Sequence, residues 1–195
     1  MPSSSSRSTS FSGSGGKTLA FAPAMQGKGQ IYLHDVRPSA LSQAKQRLKR
    51  AGIQNAQFLS PDHPKLPQLK GKMDWVLADV PCSGTGTLAG NPEIRHRLQF
   101  DEFPRQAARQ KAILKATLKQ LAPGGKLVYS TCSLEPEECE QVVAEVVAGT
   151  NIVQSPVESL LQELSQSGTL RQDVDLTSAV RDGALRTLPG IHACD

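Results

Sequence analysis

Short apolar runs alternate with amphipathic segments through the middle of this chain. The runs are rich in β-branched and aromatic residues and are bounded by Gly or Pro, which is typical of strands. The predicted strands are residues 29–36, 57–59, 73–80 and 126–130. The amphipathic segments repeat apolar residues at helical spacing. The predicted helices are residues 38–51, 106–121 and 136–148. This alternation predicts an α/β fold with a mostly parallel sheet and helices on both faces.

The beginning of the chain has a different composition. Its first 16 residues, MPSSSSRSTSFSGSGG, contain eight serines and no acidic residue. Such a segment buries little apolar surface, so we expect residues 1–14 to be disordered and residues 15–195 to form one domain. The composition is also that of a transit peptide, but a single Arg and the lack of an amphipathic pattern argue against that interpretation.

Overall composition narrows the class of protein. Lys and Arg number 22 against 18 Asp and Glu, which gives a net charge of +4. No apolar run approaches the roughly 20 residues of a membrane-spanning helix, which argues against a membrane protein. The four cysteines show neither a CxxC pair nor a Cys/His spacing typical of zinc. The sequence therefore predicts neither a disulfide scaffold nor a metal site.

Residues with reactive side chains follow two of the predicted strands. Asp79 and Cys82 lie in LADVPCSGTG, and Cys132 lies in LVYSTCS. Because the carboxyl ends of parallel strands meet at one edge of a sheet, a carboxylate and two thiols can reach one substrate there. Each cysteine alone is also consistent with a small buried apolar residue. Two strand-end segments of this kind favour a functional site.

Here the sequence is similar to a known family. The segments LADVPCSGTGTLAGNPEIRHRL and LVYSTCSLEPEECEQVV closely resemble the RsmB/Nop/Sun family of RNA (cytosine-5) methyltransferases. The resemblance extends from Gly15 to PGIHACD at the end, and GQIYLHDVRPSALSQAKQRLKRAGIQNAQ is most similar to bacterial enzymes of the RsmB type. It implies an enzyme with a Rossmann-like fold that transfers a methyl group from S-adenosylmethionine (SAM) to carbon 5 of cytosine. The implied substrate is RNA, ribosomal RNA first and transfer RNA second.

The resemblance also implies roles for the strand-end residues. Carbon 5 of cytosine is a poor nucleophile until a cysteine thiolate adds to carbon 6. By resemblance, Cys132 is that nucleophile and Cys82 assists the resolution of the covalent adduct. Asp79 matches the aspartate that holds the base, where a carboxyl group stabilises charge developing at ring nitrogen 3.

The cofactor site follows from the same resemblance. The implied SAM-binding residues are Gly15, Gly16, Lys17, Asp35, Asp62 and Asp79. The GGK segment matches the family's glycine-rich loop, Asp35 matches the acid that binds the ribose hydroxyls, and Asp62 matches the acid near the adenine. Two simpler interpretations stay open: Asp35 as a turn residue and Asp62 as a solvated loop residue.

The chain departs from the family pattern at its start. Family members carry an apolar first strand that ends in Asp and Cys, and here Thr9 and Phe11 stand at those two positions. We therefore expect the first strand to be missing or badly altered, and SAM binding to be weak. The family also continues past PGxHxxD with an apolar last strand, so the sequence predicts a domain altered or shortened at both ends.

Two other functions remain open. A catalytically impaired RNA-binding remnant is favoured by basic segments at 37–50 and 95–119, which hold five and seven Lys or Arg. The alternative for those charges is a solvated helix face. SGSGGKT also resembles a phosphate-binding loop, but Phe11 stands where that loop needs Gly. We expect a monomer in the cytoplasm, with RNA as partner and no metal.

Overall fold

The computed structural model describes residues 7–11, 14–171, 173 and 176–192. The chain divides into two compact units. The first, here called the sheet unit, comprises Met1–Cys82 and Pro104–Thr131. The second unit comprises Ser83–Phe103 and Cys132–Asp195.

Five parallel strands form the sheet unit's core. They are β1 (Arg7–Phe11), β2 (Gln30–His34), β3 (Ala56–Leu59), β4 (Met73–Asp79) and β5 (Leu121–Ser130). Their order across the sheet is β3-β2-β1-β4-β5, and every pairing is parallel. The chain moves outward from β1 to β3 and then crosses back to β4 and β5, so right-handed connections place helices on both faces. This confirms the predicted α/β fold.

Strand β1 corrects the prediction for the start of the chain. The sequence predicts disorder for residues 1–14, yet residues 7–11 form the middle strand of the sheet, so the first strand is not missing and only the prediction of an altered strand stays open. Ser8 pairs with Ile31 on one side and with Trp75 on the other. The backbone of a polar residue makes the same ladder hydrogen bonds as that of an apolar one, so the neighbouring strands can template this position. Most of the rest of that segment lies outside the described residues.

The helices follow the strands in the predicted alternation. Within the described residues they are α1 (Gly16–Phe21), α2 (Pro38–Arg50), α3 (Lys65–Gln68), α4 (Ile94–Arg97), α5 (Glu102–Leu118), α6 (Glu140–Val147) and α7 (Val157–Gln166). Helix α2 begins with Pro at its first position, where the missing N–H has no helical partner to lose. Its predicted extent, residues 38–51, differs from the observed one by a single residue.

Both faces of β2 contribute to the core. Ile31 and Leu33 are fully buried against α2, where they contact a stripe that includes Ala44 and Leu48. Tyr32 points to the other face and belongs to a second apolar cluster with Met73 and others. Alternation along one strand thus supplies two cores, as expected for a sheet covered on both sides.

Helix α5 ends earlier than the sequence predicts. The apolar spacing carries the predicted helix to Leu121, but the observed helix stops at Leu118 and Leu121 begins β5. The amide of Met73 donates to the Gln120 carbonyl at 2.9 Å, and Met73 pairs with Leu121 across the sheet. Pairing with β4 therefore places Leu121 in a strand, although its helical spacing alone predicts that it belongs to the helix.

The second unit contains α4, α6, α7 and a short hairpin. The hairpin strands are β6 (Val180–Arg181) and β7 (Ala184–Leu185), which pair antiparallel. The helix predicted at 136–148 is divided into a 3₁₀ turn, Pro136–Glu138, and α6. The division lies at Cys139, whose φ of −111° and ψ of −106° are not helical.

Helix α6 buries part of its run of valines. Val142 and Val146 are buried, whereas Val143 and Val147 are half-buried. No helix in the described part of the chain is both long and apolar enough to cross a membrane.

Candidate functional site

Polar and glycine residues collect at the carboxyl edge of the sheet. Gly15 follows β1, Asp35 follows β2, Asp62 lies three residues after β3, and Asp79 ends β4. Because β3, β2, β1 and β4 are consecutive neighbours, the sheet brings these four positions to one edge. This edge, with Gly16 and Lys17, is called the cofactor edge below. Ligands of open parallel sheets bind at such an edge.

The two glycines of the cofactor edge serve different purposes. Gly15 is buried with φ of +78°, and a Cβ built there would lie 3.0 Å from the Ala44 Cβ and 3.1 Å from the Leu48 Cδ1. Both its backbone angle and its packing therefore require glycine. A Cβ on Gly16 would meet only the Arg47 guanidinium, at 3.9 Å, so Gly16 leaves its backbone accessible.

Lys17 forms an ion pair at this edge. It lies in the first turn of α1, and its Nζ is 2.7 Å from the Oδ1 of Asp79. The side chains are 46% and 26% exposed, so the pair is accessible to a ligand. Lys17 and Asp79, which the sequence assigns to cofactor loop and base respectively, are thus direct partners in this structure.

Asp35 is held by a neighbouring arginine. Its Oδ1 accepts a hydrogen bond from the Arg37 amide at 2.8 Å, and both carboxylate oxygens accept from the guanidinium at 3.2 Å. Partial burial acts to raise the pKa of Asp35, but the hydrogen bonds and charge of Arg37 outweigh it and hold that pKa below its usual value. Asp35 is therefore an ionised acceptor at neutral pH.

The β3 side of the edge is less fixed. Asp62 is exposed in a turn, and within the described part of the chain no hydrogen bond or ion pair involves its carboxylate. His34 directly precedes Asp35, and its Nδ1 is 2.9 Å from the Leu59 carbonyl. The histidine therefore links the ends of β2 and β3. The sequence pattern predicted no role for it.

The segments that carry the cysteines leave two neighbouring strands. Asp79 pairs with Ser130 at the ends of β4 and β5, and the Val80 amide donates to the Ser130 carbonyl at 3.0 Å. Cys82 is half-buried and Cys132 is exposed, and neither forms a disulfide with another cysteine in the described part of the chain. The exposure of Cys132 contradicts its interpretation as a small buried apolar residue.

A buried glutamine fixes the backbone that leads to Cys82. Gln110 lies on the inner face of α5 and is fully buried. Its Nε2 donates to the Pro81 carbonyl at 2.8 Å, and the Tyr129 hydroxyl donates to its Oε1 at 3.2 Å. The apolar spacing of α5 did not predict a role for Gln110, although a glutamine within an otherwise apolar helix face is a signal for such a role.

The second unit contains a buried carboxylate cluster. Glu138 is fully buried, and its carboxylate accepts hydrogen bonds from the Ser83 amide at 3.0 Å and the Ser133 hydroxyl at 2.6 Å. The Ser83 hydroxyl also donates to Glu138 and lies 3.2 Å from the Ser133 hydroxyl. Ser83, Ser133 and Glu138 are called the Glu138 cluster below. The sequence pattern did not predict the burial of Glu138.

A glycine tightens the same region. The Gly86 amide donates to the Cys132 carbonyl at 2.9 Å, and a Cβ on Gly86 would lie 2.8 Å from that oxygen. The Leu134 amide donates to the Thr85 hydroxyl at 2.9 Å. Gly86 thus allows the segment after β4 to approach the backbone of Cys132 closely. Among the described residues, no group of three or more His, Cys, Asp or Glu side chains is arranged to hold a metal ion.

Comparison with known proteins identifies the relatives of this arrangement. The family model described as 16S rRNA methyltransferase RsmB/F matches residues 10–195. The ribosomal RNA small subunit methyltransferase F of Cronobacter sakazakii is 31% identical over 182 residues, which cover 93% of this chain and 36% of that protein. The tRNA (cytosine(72)-C(5))-methyltransferase of Pyrococcus horikoshii is 36% identical over 126 residues, 65% of this chain and 32% of that protein.

A solved structure is similar as well. The crystal structure of NSun6 from Pyrococcus horikoshii with SFG matches with a TM-score of 0.66 and 31% identity. The match covers 80% of this chain and 42% of that one. The chain thus spans less than half the length of the relatives named here.

Proposed function

The chain belongs to the 16S rRNA methyltransferase RsmB/F family, and on that premise we propose that it transfers a methyl group from SAM to carbon 5 of a cytosine in RNA. The observation that carries the proposal is the pairing of Asp79 with Ser130. It joins the ends of the two strands that lead to Cys82 and Cys132, the residue types that this chemistry needs.

The cofactor edge has the chemistry to hold SAM. Asp35 is an ionised carboxylate whose side chain is 10% exposed, which suits an acceptor for two ribose hydroxyls. Gly16 presents an open backbone, and Asp62 is an exposed carboxylate on the next strand end. When bound, SAM supplies an electrophilic methyl group on a sulfonium centre.

Cys132 is proposed to begin the reaction. Its thiolate adds to carbon 6 of the cytosine, the ring gains electron density, and carbon 5 becomes able to accept a methyl group. The proton at carbon 5 then leaves to a base and the carbon–sulfur bond breaks, which returns Cys132 to the thiolate form. Cys82 is proposed to assist this last stage, since it lies on the neighbouring strand-end segment.

Asp79 is proposed to hold the base. The Asp79 carboxylate beside ring nitrogen 3 would stabilise a proton held on that nitrogen while the thiolate adds to the ring. Its ion pair with Lys17 supports the assignment, because the ammonium orients the carboxylate. Lys17 then acts on the base side as well as in the glycine loop.

RNA, with ribosomal RNA as the first candidate, is the proposed partner. Arg95 and Arg97 of α4 are exposed, and so are Arg105 and Arg109 of α5. Phosphate groups are the partners that exposed guanidinium groups bind most readily. Cys82, Cys132 and Cys139 form no disulfide among the described residues, which agrees with a reducing compartment such as the cytoplasm, where we propose that the chain acts as a monomer.

Cysteine variants test the proposal. Cys132→Ser should abolish both methyl transfer from radiolabelled SAM and the covalent adduct with RNA that carries a mechanism-based cytosine analogue. Cys82→Ala should still form the adduct and release it slowly, so the protein–RNA complex accumulates on denaturing gels. Cys139→Ser is the matched control, because a serine hydroxyl can keep the hydrogen bond that the Cys139 thiol donates to the Ser133 carbonyl, so turnover should stay at the parent value.

Two outcomes would contradict this assignment. An adduct formed by the Cys132→Ser variant would mean that another group attacks carbon 6. Salt-dependent RNA binding by the parent chain, without methyl transfer or adduct, would favour the catalytically impaired RNA-binding remnant instead.

A further inference from the structure

We propose that Glu138 is a positioning residue that fixes the backbone next to both Cys82 and Cys132. The inference rests on the proposed function, since it assigns the purpose of this carboxylate to the thiol chemistry described above. Glu138 lies on neither strand-end segment and reaches them from the 3₁₀ turn Pro136–Glu138.

Glu138 contacts the two residues that directly follow the cysteines. Ser83 is the residue directly after Cys82, and Ser133 is the residue directly after Cys132. One carboxylate accepts hydrogen bonds from the amide of the first and from the hydroxyl groups of both. A single side chain therefore joins two segments that are 50 residues apart in sequence.

Peptide geometry carries the effect to Cys82. The peptide bond between Cys82 and Ser83 is planar, so an amide hydrogen held by Glu138 also fixes the direction of the Cys82 carbonyl and Cα. The Cys132 carbonyl accepts a hydrogen bond from the Gly86 amide. The peptide plane between Cys132 and Ser133 is therefore fixed as well. The Ser133 hydroxyl accepts from the Glu135 amide at 3.1 Å, which completes the turn that follows.

Burial makes the arrangement sensitive to the charge of Glu138. The carboxylate is fully buried and the donors described above are neutral N–H and O–H groups. A glutamine of the same shape has one acceptor oxygen in place of two and brings two donor hydrogens toward the serines. The amide thus cannot satisfy the same set of donors, and the segments beside the cysteines lose part of their restraint.

The experiment compares Glu138→Gln with Glu137→Gln. Glu137 is its exposed neighbour in the same turn, so this control removes the same charge without touching the cluster. The first measurement is the rate of adduct formation with the cytosine-analogue RNA, and the second is the SAM dissociation constant by calorimetry. We expect adduct formation by Glu138→Gln to slow about 100-fold, the scale of a misplacement of about 1 Å. SAM affinity should stay at the parent value, because the cofactor edge belongs to the sheet unit.

A further measurement requires no RNA and no activity. Iodoacetamide labelling of Cys82, followed by peptide mass spectrometry, reports how well the segment is held. We expect labelling of this half-buried thiol to accelerate about tenfold in Glu138→Gln, as one lost hydrogen bond to a charged group implies. Labelling in Glu137→Gln should match the parent.

The outcomes separate this inference from the proposed function. A folded Glu138→Gln variant with parental rates of adduct formation and labelling would overturn the inference. Equal losses of SAM affinity, adduct formation and melting temperature would also overturn it, because they indicate a merely structural residue. If the parent forms no adduct, the proposed function fails, and unchanged labelling would then reject the inference independently.

Ser83→Ala covers the case in which Glu138→Gln does not fold. It removes one hydroxyl donor and keeps both the carboxylate and the Ser83 amide. Its adduct formation and Cys82 labelling should shift in the same directions by smaller factors. Parental values for both in this variant would contradict the inference.

Discussion

The cofactor edge and the Glu138 cluster place carboxylates in opposite environments. At the cofactor edge, Asp79 is 26% exposed in its ion pair with Lys17, and Asp62 is exposed in a turn. In the Glu138 cluster, Glu138, Ser83 and Ser133 are all buried. The edge is built where a sheet ends, whereas the cluster is built inside a folded loop region.

This difference separates ligand binding from stability. Exposed ion pairs contribute little to the free energy of unfolding, because water and salt screen them. A buried carboxylate that loses a partner costs much more, because its donors then stay unsatisfied. Substitutions of the exposed carboxylates at the edge should therefore change chemistry and affinity with little loss of stability, whereas substitutions in the buried cluster should also lower stability.

The largest effect is expected from Asp79→Asn. The neutral amide cannot form the ion pair with Lys17 or stabilise a positive charge at ring nitrogen 3, so the rate of adduct formation should fall about 100- to 1,000-fold. The melting temperature should hardly change, because the pair with Lys17 is partly exposed. Single-turnover kinetics and thermal unfolding measure the two effects. Asp74→Asn, at the amino end of the same strand, is the control, and a comparable rate loss there would undo the assignment.

A smaller effect, on stability, is expected from Gly15→Ala. Positive φ and a Cβ only 3.0 Å from Ala44 both oppose the substitution, so the free energy of unfolding should fall by about 2–4 kcal/mol. Gly52→Ala is the matched control, since its φ is +72° and a Cβ there meets no atom within 4 Å. That variant should lose only about 1 kcal/mol, from backbone strain. Equal losses in urea unfolding would show that packing against α2 contributes nothing.

The smallest effect is expected from Asp35→Asn. Losing an ionised acceptor for the ribose hydroxyls should weaken SAM binding about tenfold, measured by calorimetry. The low pKa of Asp35 also makes a small stability contribution that is present above about pH 3.9 and is lost as pH falls through the folded-state pKa. The melting temperatures of parent and variant should therefore converge below about pH 4. A difference that persists unchanged into acid would mean that the Arg37 contacts do not depend on the charge of Asp35.

Much of the sheet unit is predictable from local pattern. The bounds of β2, α2 and β4 lie within a few residues of those predicted, because each combines a clear apolar period with Gly or Pro at its ends. The strand-end positions of Asp35 and Asp79 follow from the same pattern, since the alternation of strands and helices implies parallel neighbours. The roles of Cys132, Cys82 and Asp79 rest on resemblance and stay predictions.

The errors have a common origin. The sequence of β1 is mostly polar, so no apolar periodicity predicts a strand there. Its place in the sheet depends on backbone pairing with β2 and β4. The end of α5 depends on pairing between Met73 and Leu121, which lie 48 residues apart. In each case hydrogen bonds to distant residues decide a local structure that the local sequence leaves open.

The sequence by itself determined the alternating α/β architecture and the chemical types of residue at the strand ends, because apolar periodicity and motif spacing are local properties of the chain. Only the tertiary structure decided which of those residues meet. It pairs Lys17 with Asp79 and places Gln110 in hydrogen-bond contact with the Pro81 carbonyl. It also buries Glu138 in contact with Ser83 and Ser133. Such pairs depend on strand order and on the burial of polar groups, which arise only when segments far apart in sequence pack together.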